Sequence, residues 1–111
     1  MATHEFGVLG WVPRPEERYD CYMPELCYPM VQVDDEWIED LWPDGLDQVP
    51  CFWEGLCQPG VGLDYCGISL IPPESLDQAL RALGADPRLD PLRALIRGAK
   101  AQGRWVLHYG L

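Results

Sequence analysis

Tyr65-Cys66-Gly67-Ile68-Ser69-Leu70-Ile71-Pro72-Pro73-Glu74-Ser75-Leu76-Asp77-Gln78-Ala79-Leu80-Arg81-Ala82-Leu83-Gly84 changes its period halfway. The first seven residues carry no charge and read as a buried strand. From Pro72 the pattern turns helical. Prolines sit near the first turn, where a missing N–H costs nothing, and an acid follows. Leu76, Leu80 and Leu83 share a face, Arg81 comes late, and Gly84 stands at the stop. Asp86-Pro87 makes a turn. Asp90 as N-cap and Pro91 at the first helical position then open a second helix. Its apolar stripe is Leu92, Leu95, Ile96 and Ala99, with Arg93, Arg97 and Lys100 on other faces and Gly103 ending it. Arg104 to Tyr109 alternates as a last strand. That strand is expected beside Tyr65–Ile71 through a crossover, right-handed if the two are parallel.

Working outward, Phe6 to Val12 reads as a first strand, ended by Pro13-Arg14-Pro15. Glu16 to Pro24 is a loop or a short helical turn. Leu26 to Val33 is a second strand, and Pro29 places it at an edge or a bulge. Cys51-Phe52-Trp53 is a short apolar run of undecided state. Gln58 to Gly62 is a loop rich in breakers. Strands and helices in this order predict an α+β fold. It is a mainly antiparallel or mixed sheet with two or three helices packed on it, one domain over residues 1–111.

The formal charge of −10 argues against a nucleic acid or an anionic membrane as direct partner, since both need a positive face. The charge is segregated. Residues 1–60 hold 13 acids against Arg14 and Arg18, whereas residues 61–111 hold five acids against six bases. No apolar run is long enough to span a bilayer, and the N-terminus lacks a basic and an apolar signal region, so the expected place of work is the cytoplasm. The absence of Asn, and one Lys beside seven Arg, suit translation of a GC-rich bacterial genome.

Five cysteines without a signal sequence fit a reducing compartment. The C-x5-C spacing of Cys21/Cys27 and Cys51/Cys57 is too long for a zinc knuckle, and bulky apolar residues interrupt both pairs. Buried free thiols are the expectation, with a zinc-binding or redox module on these four residues as the alternative. No basic residue lies near Cys51, Cys57 or Cys66 to activate a thiol. His4 and His108 are the only histidines, and His108 reads as a packed or edge residue of the last strand. Neither Ser69 nor Ser75 sits in a nucleophile elbow, and Gly60-Val61-Gly62 precedes a strand rather than opening a helix. No catalytic residue, cofactor site or metal site is therefore assigned.

The segment Asp34 to Asp47 carries seven acids, two tryptophans and no base. Asp34-Asp35 offers an N-cap to a short helix from Glu36 to Leu41, ended by Pro43-Asp44-Gly45. Trp37 and Leu41 share one side, and acids face outward on the others. Aromatic anchors among uncompensated carboxylates suit docking onto a basic protein. The expected partner-binding residues are Asp34, Asp35, Glu36, Trp37, Glu39, Asp40, Trp42, Asp44 and Asp47.

In size, acidic-aromatic middle and its ending (Tyr65 to Leu76, two helical segments, then Gly103 to Gly110), the chain resembles the small acidic immunity proteins that bacteria encode beside polymorphic or contact-dependent toxins. The resemblance implies a non-enzymatic protein that binds and neutralises a cognate toxin domain, blocking its active site or its substrate surface. An acidic accessory subunit of a basic enzyme is the other reading of the same charge pattern.

Overall fold

The computed structural model describes residues 2–111. Six strands form one sheet in the order β2-β1-β6-β5-β3-β4, and every neighbouring pair is antiparallel. The strands are β1 (Thr3–Leu9), β2 (Cys27–Asp34), β3 (Pro50–Trp53), β4 (Pro59–Val61), β5 (Ile68–Ile71) and β6 (Val106–Tyr109). Three helices accompany them, α1 (Asp35–Ile38), α2 (Leu76–Leu83) and α3 (Asp90–Ala101). This is the expected α+β architecture.

Alternation along the strands assigns the two faces. Phe6, Val8, Val33, Ile71 and Val106 point to one side. There they pack with Leu76, Leu83, Leu92, Ile96 and Ala99 from the two long helices. α3 lies against β1 and β2, and α2 against α3. On the other side Leu9, Leu70, Leu107 and Tyr109 form a smaller cluster, covered by Tyr19 and Leu26 of the β1–β2 connection. Both long helices stop where glycine was expected to stop them. Gly84 and Gly103 have φ of 66° and 64°, which side-chain-bearing residues adopt only at a cost.

Several boundaries differ from the expectation. β1 begins at Thr3 and ends at Leu9, so the sheet holds His4 and releases Gly10 to Val12. β6 does lie beside β5, and the pair, whose direction the sequence left open, is antiparallel. The undecided run at Cys51 is β3, and the breaker-rich loop contributes the three-residue edge strand β4. β2 is the opposite edge strand, with a cis bond at Tyr28-Pro29 and a register irregularity between Gly7 and Leu9. Asp90 is the first residue of α3 rather than its cap.

Arg93 also departs from its expected open face. It is 5% exposed, and its guanidinium donates to the carbonyls of Gly84 and Asp86 and to the Asp90 carboxylate. It ties the α2–α3 connection together by donating to the Gly84 carbonyl at the end of α2 and to the Asp86 carbonyl, which also accepts from the Leu89 N–H. The cysteines divide. Cys27 and Cys51 are buried, while Cys21, Cys57 and Cys66 are exposed, so burial as a rule for these thiols is corrected.

Candidate functional site

The acidic segment divides into an inward and an outward set. α1 continues into a tighter 3-10 turn, Glu39–Leu41, so the expected helix is half α and half 3-10. Its buried side is set by Ile38 and Trp42, four apart, rather than by Trp37 and Leu41. Trp42 is 8% exposed, stacks on His4 at 5.1 Å and donates its indole N–H to the Leu63 carbonyl at 3.3 Å. It belongs to the core, which corrects its expected place among the partner-binding residues. Trp37 is half-buried at the margin, with the Arg88 guanidinium 5.7 Å from its ring centre.

Asp35 is the inward carboxylate. It accepts from His4 Nε2 at 2.9 Å and from the Tyr65 hydroxyl. The Tyr65 and His4 bonds hold its carboxyl below the usual range, and the same contact pushes the Tyr65 phenol up to about 12. Asp34 closes β2 opposite Thr3, and Asp47 accepts from the Gly45 N–H at 3.2 Å, bracing the turn. Glu36, Glu39, Asp40 and Asp44 are exposed. Among the described residues, none of these four stands in an ion pair. Desolvation and then the charges of Asp35, Asp40 and Glu36 raise the Glu39 carboxyl above its ordinary value. The segment is thus an acidic shelf whose charges repel one another while α1 and the turn after it hold them in place.

Beneath the shelf lies a polar network that no local sequence pattern announces. His4 on β1 and His108 on β6 are both fully buried and meet at 2.9 Å, Nδ1 to Nε2. The Asp35 carboxylate only accepts, so His4 Nε2 carries the proton given to it. With His4 neutral, its Nδ1 accepts from His108 Nε2–H, and His108 Nδ1 is an acceptor without a partner among the described residues. Burial, with His4 adjoining, pushes the His108 ring down to about 3, consistent with a neutral imidazole. An orphaned buried acceptor costs about 1–3 kcal/mol. Phe6, Trp42 and Tyr65 surround the two rings at 4.8–5.5 Å between centroids. The order Asp, His, His superficially resembles a catalytic relay. Its far end is enclosed by aromatic rings, however, and neither imidazole is exposed to a substrate.

The four cysteines of the zinc or redox alternative do not converge. Cys27 belongs to the cluster on one face of the sheet and Cys51 to the helix-side core on the other. Cys51 Sγ donates to the Gly62 carbonyl at 3.1 Å, and Cys57 Sγ to the Pro15 carbonyl at 3.5 Å. No group of three or more His, Cys, Asp or Glu among the described residues is arranged to hold a metal ion. No helix among the described residues is long and apolar enough to cross a membrane.

Fold and site together define a class: a single α+β domain, built on an all-antiparallel sheet, that carries an unpaired acidic shelf over a buried histidine pair. No protein-family model, curated protein or solved structure matches the chain.

Proposed function

We propose that the chain is a non-catalytic binding protein that holds a basic protein against its acidic shelf, and that its role is the neutralisation of a cognate bacterial toxin, as an immunity protein. The observation that carries this reading is the set Glu36, Glu39, Asp40 and Asp44, exposed on one short segment without an ion-pair partner among the described residues. Uncompensated like charges destabilise the free domain, and a basic partner relieves them. Trp37 at the margin supplies an aromatic contact, and the sealed histidine pair offers no competing chemistry. Steering by such a face acts on the association rate and fades with salt.

The test has two stages. Tagged protein is first used to retrieve a stoichiometric basic partner at low and moderate salt, identified by mass spectrometry and assayed for toxicity with and without this chain. Association is then measured for wild type and for Glu36→Lys/Glu39→Lys/Asp40→Lys. Asp35 is spared because it holds the histidine network. The triple variant should associate at least ~10-fold more slowly at low salt and show a flatter salt dependence. Equal association rates would remove the shelf from the binding surface, and a partner without toxicity would remove the immunity role.

A further inference from the structure

A cleft lies on the sheet face opposite the long helices, walled in part by Asp20, Cys21 and Tyr22 of the β1–β2 connection. It is an open cleft of about 380 Å³, within the size range of specific ligand sites. Three carboxylates from three separate parts of the chain line it: Glu5 on β1, Asp20 on the β1–β2 connection and Glu54 directly after β3. Among the described residues, no Lys, Arg or His lines it. The base nearest Glu54 is Arg18, 3.9 Å away and more than half exposed.

The remainder of the wall is aromatic and apolar. Tyr109 is 5% exposed and Tyr22 meets its ring edge-on at 5.0 Å between centroids, while Ile68 is half-buried beside them. The Tyr22 hydroxyl donates to Glu5 Oε1 at 2.7 Å, which fixes that carboxylate and leaves its second oxygen free to accept. A planar cation matches this lining. A guanidinium lies on a phenol ring and donates to carboxylates set around it, where a compact ammonium serves only one of them well.

We propose that this cleft receives an arginine side chain presented by a protein partner. The assignment rests on the reading of the chain as a binder of a basic protein and adds the group by which that partner is gripped. The shelf attracts at long range, and the cleft selects at contact. Glu5 and Glu54 supply charge, and the exposed Tyr22, braced edge-to-face against Tyr109, supplies the ring face.

Two exposed thiols, Cys21 and Cys66, line the same cleft, and a third, Cys57, lies outside it. They make a reporter that needs no partner. Alkylation rates of the three thiols are measured in the intact protein against rising Nα-acetyl-arginine amide, with the neutral citrulline analogue and acetyl-lysine amide as comparisons. The arginine amide should slow Cys21 and Cys66 saturably, at least ~3-fold with half-effect in the millimolar range expected of one side chain, and leave Cys57 unchanged. Glu5→Gln/Glu54→Gln, shown folded by its thermal transition, should lose the protection.

No protection at ~100 mM, a weaker interaction than any of millimolar affinity, would overturn the assignment. So would equal protection by citrulline or lysine amide, or full protection in the double Gln variant. If the arginine amide protects while the shelf triple variant binds its partner at the wild-type rate, the shelf reading falls and the cleft stands. If association is lost in the triple variant and the arginine amide gives no protection, the cleft falls and the shelf stands.

Discussion

Acidifying the solution from pH 7 to pH 5 should remove about 2 kcal/mol of stability through His108 alone. In the unfolded chain an imidazole titrates near 6.5. In the folded chain burial, and next the neighbouring His4, push the His108 ring down to about 3. Between those values the unfolded state takes up a proton that the folded state refuses. The stability is therefore fully present above 6.5 and is lost as the pH falls towards 3. The slope approaches about 1.4 kcal/mol per pH unit, which over the one and a half units from 6.5 to 5 gives the stated loss. For a domain of this size the midpoint of thermal unfolding drops by roughly 8 °C. Two other groups act over nearby ranges. Asp35, held low, adds a loss only as the pH approaches its own range, whereas Glu39, held high, is relieved by protonation and works in the opposite direction. Both remain in His108→Gln, whose terminal amide nitrogen reaches the place of Nε2, keeps a donor for His4 and does not titrate in this range. Urea unfolding followed by tryptophan fluorescence at pH 7, 6 and 5 should give curves that converge for the variant and separate for wild type. Equal losses in the two proteins would refute the reasoning, as would a His108 resonance that titrates above pH 5.

Arg93→Met keeps the stem of the side chain but leaves the Gly84 carbonyl without its donor and the Asp86 carbonyl with the Leu89 N–H alone. Chemical denaturation should register a loss of about 2–4 kcal/mol, with unfolding still cooperative. A chromogenic disulfide reagent should titrate Cys21, Cys57 and Cys66 in the native protein and reach Cys27 and Cys51 only in denaturant, since burial pushes both of those thiols up to about 11. Glu39→Gln should raise the melting temperature at pH 7 by removing one member of a self-repelling set, and the gain should shrink on adding salt. Trp42→Ala should cost about 3–5 kcal/mol, the value of a truncated core aromatic, and a surface-sized loss would return Trp42 to the contact surface.

The long helices were legible because each carries redundant signals. A leucine stripe, an early proline and a terminal glycine agree for Leu76–Leu83 and for Asp90–Ala101. β3 and β4 were not legible. Strands of four and three residues, each opening with proline, lack the length for alternation to register, and tertiary pairing supplies what local pattern does not. Trp42 was misplaced because its charged neighbours suggested exposure, although its spacing from Ile38 marks one buried helical side. The histidine pair escaped for a similar reason. Starting the first strand at Phe6 excluded His4, whereas the alternation His4, Phe6, Val8 carries the strand two residues further back. Extending the stripe would have placed His4 on the buried face. Its meeting with His108 depends on β1 and β6 being neighbours, which no local pattern encodes. The buried role of Arg93 likewise required knowing that the end of α2 turns back over α3.

The pairing of β1 with β6 also governs the order in which the molecule can be assembled. The two imidazoles that touch at the centre of the sheet lie 104 positions apart along the chain. β2 can zip onto β1 early, but the other edge of β1 stays open until β6 arrives. On a ribosome that interval lasts about 5–20 s at ordinary elongation rates of 5–20 residues per second. During it the chain presents an unpaired strand edge with a half-built polar core beside it, the condition in which β proteins are most exposed to misassociation. The acidic segment is translated inside that window, shortly after β1, so its seven like charges are present on the nascent chain before the sheet closes.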